Sequence, residues 1–111
     1  MTGRTLSGLV AIAAMTATAA TADIYIRNGE EQVEVSERGG LLYCTRLSDG
    51  YEMCNGMKKA DDGSWRGKKM KHPDMPRWMS FNGTVTFSER GLRIKGCTLG
   101  ICDSETWSRQ N

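Results

Sequence analysis

Short runs in which apolar and polar residues alternate, separated by turn-forming residues, constrain the fold of this chain most. Predicted strands are Gln32 to Ser36, Leu41 to Leu47, Tyr51 to Met57, Arg77 to Phe81, Thr84 to Phe87, Leu92 to Gly96 and Ser104 to Arg109. Because successive side chains of a strand point to opposite faces, a period of two predicts β-structure. No apolar period of 3.6 residues is long enough to predict a helix. The sequence therefore predicts an all-β, antiparallel meander.

The first 22 residues have the layout of a secretory signal peptide. Arg4 gives a cationic start, an apolar run extends from Leu6 to Met15, and Ala20-Thr21-Ala22 is a small-x-small cleavage triplet. The apolar run is shorter than the about 20 residues that a membrane-spanning helix needs, and no later segment reaches that length. We expect cleavage after Ala22 and a periplasmic or secreted mature chain without a transmembrane segment.

Cleavage would leave one small domain, residues 23–111. A chain of about 90 residues buries little more than about 60% of its unfolded surface, so covalent cross-links add useful stability. Four cysteines are present, and export allows them to form disulfides. Removing Arg4 lowers the formal net charge of +2 by one, which indicates no strongly charged partner.

The hairpin around Ser48-Asp49-Gly50 predicts one disulfide. In a hairpin the numbers of opposed residues sum to a constant set by the loop, and a three-residue loop places Cys44 opposite Cys54. Directly opposed Cβ atoms lie about 4.5–5.5 Å apart, close to the separation that a disulfide requires. The same register predicts that Arg46 faces Glu52.

A second hairpin is predicted around Ser88-Glu89-Arg90-Gly91. This loop sets Phe87 opposite Leu92 and Val85 opposite Ile94, so two apolar pairs share one face. We assign that face to the core.

The last two cysteines flank a third hairpin. Cys97 and Cys102 enclose a four-residue loop, which places them opposite each other at its base. The predicted disulfides are therefore Cys44–Cys54 and Cys97–Cys102. Four cysteines allow three connectivities, and a crossed pattern stays open.

Residue types that catalysis or metal binding requires are scarce. His72 is the only histidine, and it precedes Pro73 in a predicted loop. A nucleophilic Cys–His pair needs a free thiolate, whereas every cysteine here has a predicted partner. Structural zinc sites use close cysteine pairs or paired histidines, and this chain has neither spacing. We predict no catalytic residue, no metal site and no cofactor.

Carboxylates are the remaining material for acid–base chemistry. The candidates are Asp61, Asp62, Asp74, Glu89, Asp103 and Glu105. A glycosidase needs two carboxylates that face each other across the scissile bond. Most of these residues lie in predicted turns, where such side chains commonly bond local backbone groups in solvent. Hydrolysis is kept as a third hypothesis, and the chain is predicted not to be an enzyme.

Basic and aromatic residues are interleaved between positions 58 and 78. The candidate binding residues are Trp65, Arg66, Lys68, Lys69, Lys71 and Trp78, together with the later Trp107. Such a pattern holds nucleic acid through phosphate contacts and base stacking, but export argues against a nucleic-acid partner. Contact with an anionic envelope component, such as phospholipid or lipopolysaccharide headgroups, fits better. A solvated loop or strand face explains the same residues.

Methionine and tryptophan are unusually frequent among the apolar residues. The predicted mature chain contains Met53, Met57, Met70, Met75 and Met79 besides three tryptophans. Methionine fills irregular spaces and adaptable binding surfaces. A small barrel lined by these side chains would take a lipid or another apolar ligand, and a filled core without a cavity is the alternative.

The C-terminal half carries motifs of a known family. They are Trp65-Arg66-Gly67, Gly83-Thr84-Val85-Thr86-Phe87, Leu92-x-Ile94-Lys95-Gly96-Cys97 with Cys102, and Thr106-Trp107-Ser108-Arg109. In these motifs the chain resembles the exported bacterial family called domain of unknown function 2147. The resemblance implies a lipocalin-like antiparallel β-barrel in the periplasm or outside the cell, and it brings no catalytic residues. The N-terminal Gly-x-Trp opening usual in that family is absent.

Two main functional hypotheses follow. The first is an exported β-barrel that binds an apolar or amphipathic small molecule, or an envelope component, without catalysis. The second is a protein-interaction module, such as an inhibitor of an envelope-directed hydrolase, that acts through the loop 66–78.

Overall fold

The computed structural model describes residues 21–110, which form eight antiparallel strands that close into a barrel. The strands are β1 (Thr21–Arg27), β2 (Glu31–Arg38), β3 (Leu41–Arg46), β4 (Glu52–Lys59), β5 (Trp65–Met70), β6 (Phe81–Phe87), β7 (Gly91–Thr98) and β8 (Ile101–Arg109). Each strand pairs with the next, and β8 closes on β1 through Tyr25↔Arg109 and Ile26↔Ser108. The predicted all-β class and antiparallel barrel are confirmed.

The predicted signal peptide lies almost entirely outside the described residues. Thr21 and Ala22, the last two residues before the expected cut, are the first two of β1 and pair with Glu37 and Ser36 of β2. Cleavage after Ala22 would leave β1 starting at Asp23, and the closing pairs at Tyr25 and Ile26 would be retained.

Three segments differ from the strand predictions. β1 and β5 were not predicted, and the predicted strand at Arg77 to Phe81 is wrong, because residues 77–80 belong to a turn-containing loop and β6 begins only at Phe81. In β5 the adjacent exposed Lys68 and Lys69 interrupt the alternation between the buried Trp65 and Met70, and lysine and glycine are weak strand formers. In the loop, the Met79 N–H donates to the carbonyl of Pro76 at 2.9 Å, which forms a turn instead of a ladder.

The inward faces of all eight strands supply the core. Its fully buried large side chains include Trp107, Tyr25, Met57, Met70 and Leu92. Val85, Leu92 and Ile94 are buried as predicted, whereas Phe87 is 37% exposed at the barrel end, where its ring centroid lies 6.0 Å from that of Tyr25. Gly91 is essential to this packing, because a Cβ there would overlap the carbonyl oxygen of Trp107. Of the two predicted core pairs, Val85↔Ile94 is buried, whereas Phe87↔Leu92, at the rim of the barrel, is only partly buried.

The first predicted disulfide is confirmed, but its register holds only locally. Cys44 pairs with Cys54 at a Cα–Cα distance of 4.5 Å, and both are fully buried. The register then shifts, so that Thr45, not Arg46, is opposite Glu52. The prediction for Arg46 is wrong because a bulge inserts one extra residue into β4 at this point.

The second disulfide is also confirmed. Cys97 pairs with Cys102, and the next pair, Thr98↔Ile101, shortens the predicted four-residue loop to a two-residue turn. Leu99 and Gly100 both have positive φ, 51° and 80°, as a type I′ turn requires. No described cysteine is free, so the crossed connectivity is excluded.

We expect the two disulfides to contribute unequally to stability. The loops that they close differ, with sequence separations of 10 for Cys44–Cys54 and 5 for Cys97–Cys102. Loop entropy predicts that the Cys44→Ala, Cys54→Ala variant loses about 3 kcal/mol of unfolding free energy, and the Cys97→Ala, Cys102→Ala variant about 2 kcal/mol. Urea titrations of both variants beside the wild type measure the difference. Equal losses of unfolding free energy, or a larger loss without Cys97–Cys102, would contradict the prediction.

Candidate functional site

A pocket of about 330 Å³ opens at the end of the barrel where β7 turns into β8. We call it the end pocket. The apolar side chains that line it are Met53, Met75, Phe81, Ile94, Ile101 and Trp107, and the ionisable ones are Lys71, His72, Asp74, Asp103 and Glu105. Gly96 makes room for one wall, because a Cβ there would overlap the ring of Phe81. The pocket thus combines an apolar interior with charged groups.

The loop between β5 and β6, residues 71–80, covers one side of the end pocket and is fastened at both ends. The ammonium of Lys71 donates to the carbonyls of Arg77 and Met79, at 2.8 Å each. The hydroxyl of Tyr51 donates to the carbonyl of His72 at 3.1 Å. These bonds hold the His72 ring beside β8.

Behind the pocket lies a charged network centred on Arg27, which is 5% exposed. Its Nε donates to Glu105 Oε1 at 2.8 Å, its Nη2 to Glu105 Oε2 at 3.1 Å, and its Nη1 to Glu31 Oε1 at 2.7 Å. The second oxygen of Glu31 accepts from Arg46 at 3.3 Å. Such bidentate guanidinium–carboxylate contacts are strong and fix geometry. The network joins β1, β2, β3 and β8 at this end of the barrel.

Glu105 is the residue that connects this network to the pocket. Its Oε1 also accepts from the indole Nε1 of Trp107 at 2.9 Å, and its Oε2 lies 3.0 Å from His72 Nε2. The bonds from Arg27, and after them those from Trp107 and His72, lower the pKa of Glu105 to about 2. The bonds to Glu105, and after them those to Glu31, raise the pKa of Arg27 above its already high ordinary value. Both groups are therefore charged at neutral pH.

His72 is oriented from both sides of its ring. The backbone N–H of Asp74 donates to Nδ1 at 3.1 Å, so in the neutral ring the proton is on Nε2 and is donated to Glu105. Arg27 Nη2 lies 3.2 Å from the same nitrogen. Since both ring nitrogens are held by protein groups, the ring forms a fixed wall of the end pocket.

The ionisable lining gives the end pocket a negative balance. Asp74 and Asp103 outnumber Lys71, while the charge of Glu105 is offset by its bidentate contact with Arg27. Asp74 is largely exposed, with a side chain 88% accessible to solvent. A ligand group at the mouth therefore meets carboxylates and a histidine ring.

A larger concavity, which we call the wall groove, crosses the barrel wall from β3 to β6. Its volume is about 840 Å³. The residues that line it are Leu41, Tyr43, Asn55, Gly56, Met57, Lys58, Arg66, Gly67, Lys68, Lys69, Met70, Asn82, Gly83 and Thr84. It shares no lining residue with the end pocket.

The candidate binding residues of the sequence fall into four places. Trp107 and Lys71 line the end pocket, and Arg66, Lys68 and Lys69 line the wall groove. Trp65 is 4% exposed in the core, and Trp78 is 80% exposed and lines neither concavity. The seven residues therefore do not form one site.

The sequence did not point to Arg27, and it offered Glu105 only as one of six candidate carboxylates for the hydrolysis hypothesis. Arg27 lies in β1, the strand that carried no recognised pattern, and its contact with Glu105 spans 78 residues. The one available signal was the position of Glu105 two residues before Trp107 in a strand, which places both side chains on the same face.

Comparison with family models, with curated proteins and with solved structures finds no match to the chain. The resemblance to domain of unknown function 2147 therefore stays a prediction. Within residues 21–110, no helix is long and apolar enough to cross a membrane. The same residues contain no group of three or more His, Cys, Asp or Glu side chains that could hold a metal ion.

Proposed function

We propose that this protein is an exported barrel that binds a small amphipathic molecule in the end pocket and does no chemistry on it. The observation that carries the proposal is a pocket of about 330 Å³ whose apolar interior adjoins a fixed group of charged side chains. Ligand sites are typically concave, mostly apolar and equipped with a few placed polar groups, and this volume lies at the small end of their range.

The lining suggests how such a ligand would lie. Its apolar part would pack on Met75, Phe81 and Ile101, which line the pocket and keep exposed surface. Its polar part would face Asp74 and Asp103, the exposed carboxylates of the lining. Because carboxylates accept hydrogen bonds and attract positive charge, the polar part is expected to be cationic or rich in donors. An anionic headgroup would be repelled.

Export is part of the proposal. Two disulfides within one small barrel are typical of proteins that fold in an oxidising compartment. The sequence layout of residues 1–22 is that of a cleavable leader. Detection of a mature N-terminus at Asp23 in the periplasmic or culture fraction would test this part directly.

We expect an alkyl ammonium to bind more tightly than an alkyl sulfate of the same chain length. In isothermal titration calorimetry, octyltrimethylammonium should have a Kd about tenfold lower than octyl sulfate, because the carboxylates of the mouth favour the cation. A Thr98→Trp substitution should block the pocket and abolish binding, since Thr98 lines it. Thr106→Trp, on an exposed position of β8 outside the pocket, is the matched control.

Two outcomes would count against the proposal. Equal weakening by Thr98→Trp and Thr106→Trp would place binding outside the end pocket. Absence of binding by either amphiphile, together with native mass spectra that show no retained small molecule, would favour the second hypothesis of a protein-interaction module. Trp78 is 80% exposed and favours that alternative; it lies in the loop 71–80, because residues 66–70 of the predicted loop 66–78 belong to β5.

A further inference from the structure

We infer that the wall groove is a second binding site, for a ligand that carries clustered phosphate groups. Four cationic side chains line the groove, namely Lys58, Arg66, Lys68 and Lys69. None of the described residues that line it carries a carboxylate. A concavity of one sign of charge concentrates ligands of the opposite sign.

Most of these cations are available to a ligand. Among residues 21–110, salt bridges of the groove cations are limited to Arg66, which pairs with Asp62 at 3.1 Å. Both partners are about 60% exposed, so solvent screens this pair and it holds Arg66 weakly. The three lysines are exposed and form no salt bridge within the described residues. A ligand would therefore not have to break strong internal ion pairs.

The local structure explains why two adjacent lysines face the same groove. Between Gly67↔Gly83 and Met70↔Phe81 the register of β5 and β6 shifts, so β5 contains one extra residue at Lys68-Lys69. A bulge interrupts the strict alternation of side chains, and here both lysines line the wall groove. Met70 returns to the interior, where it is fully buried.

Two amide side chains complete the chemistry of the groove, and its glycines shape the wall. Gly67 and Gly83 also line the groove, but the space that a Cβ would take at each is filled by the buried Met57 and Met70. Gly56 has a φ of 79°, and the Tyr43 hydroxyl lies 3.8 Å from where its Cβ would be. Asn55 and Asn82 add neutral donors beside the cations. Ammonium, guanidinium and amide donors together are the partners that phosphate oxygens prefer.

The charge count indicates more than one phosphate. A phosphate monoester carries about −1.5 to −2 at neutral pH, so about two such groups are needed to match the four cations. Neighbouring phosphates occur in free polyphosphates and in phosphorylated lipid headgroups. The groove would bind the clustered phosphates of either ligand, and the experiment below distinguishes a free polyphosphate from a lipid headgroup. This inference is independent of the proposed function, because the two concavities share no lining residue.

The test uses the whole mature protein with two probes. Inorganic tripolyphosphate represents the free source, and vesicles of phosphatidylcholine with phosphatidic acid represent the lipid source. We expect at least one probe to bind, and the Lys68→Gln, Lys69→Gln variant to bind it about tenfold more weakly. The matched control is Arg90→Gln, Lys95→Gln, which removes the same charge at exposed positions outside the groove.

Each outcome has a defined meaning. If the protein binds tripolyphosphate but not the vesicles, the ligand is a free polyphosphate. If it binds only the vesicles, the ligand is a lipid headgroup. If neither probe binds, the inference is overturned. It is also overturned if the control variant weakens binding as much as the groove variant does, because the net charge of the protein would then explain the attraction. If circular dichroism shows that the double variant is unfolded, Lys58→Gln, Arg66→Gln replaces it in the same comparison.

Discussion

Replacing Trp107 with Ala should lower the unfolding free energy by about 3–5 kcal/mol, the range for truncating a large buried aromatic side chain. Trp107 is 0% exposed, and it supports both the core and the end pocket. Truncation also removes the indole N–H that donates to Glu105 at 2.9 Å. Since a small domain has a total stability of about 5–15 kcal/mol, the variant should be close to unfolding at room temperature.

Two other tryptophan variants separate the contributions. Trp107→Phe keeps an aromatic ring but loses the N–H bond to the charged Glu105, so a loss of about 1.5–3 kcal/mol is expected from that bond. Trp78→Ala, at an exposed position, should change stability by less than about 0.5 kcal/mol. Urea titrations followed by far-ultraviolet circular dichroism measure all three variants on one scale. A loss in Trp107→Ala no larger than that in Trp78→Ala would show that Trp107 is not part of the core.

The three tryptophans illustrate what the sequence predicts well and what it does not. Composition grouped Trp65, Trp78 and Trp107 as candidate binding residues, yet they lie respectively in the core, on an exposed loop and at the pocket. Trp65 and Trp107 lie within strands, where alternation decides which side chain points inward. Trp78 lies in a loop, where no periodicity relates sequence position to exposure.

Hairpin register was predictable because a short loop fixes which residues are opposed. Both disulfides and the pair Val85↔Ile94 were obtained in this way. The method failed where the chain adds a residue, as at the bulge that moves Glu52 opposite Thr45. A bulge changes the register without leaving a clear pattern in the sequence.

The charged network could not be predicted from the same reasoning. Arg27 meets Glu105 because β1 and β8 close the barrel, and no short loop joins these two strands to set their register. The closure pairs residues near opposite ends of the described chain, such as Tyr25 and Arg109. A buried arginine is also contrary to the expectation that charged side chains remain exposed.

The network makes stability depend on pH in a direction that can be stated. Bonds from Arg27, and then from Trp107 and His72, lower the pKa of Glu105 from the ordinary 4.5 to about 2. A carboxyl whose pKa is lower in the folded state stabilises the fold above its unfolded pKa, and this contribution is lost as the pH falls through the folded pKa. The unfolding free energy should therefore decline between about pH 4.5 and about pH 2.

Glu105→Gln should remove that part of the decline. At neutral pH we expect the variant to be less stable than the wild type by about 2–3 kcal/mol, after allowance for the partial exposure of the carboxylate. Near pH 2 the two proteins should converge, because Glu105 of the wild type is then being protonated. Urea titrations at pH values between about 7 and about 2 measure the two curves.

Two exposed carboxylates provide the control for this titration. The bond from Arg46 lowers the pKa of Asp49 to about 2, and the bond from the Ser64 hydroxyl does the same for Asp62. Their side chains are 51% and 61% exposed, so solvent screens both interactions. Asp49→Asn and Asp62→Asn should therefore change the pH profile less than Glu105→Gln does. If Glu105→Gln leaves the pH dependence of the unfolding free energy unchanged, the ion pair between Glu105 and Arg27 does not stabilise the fold.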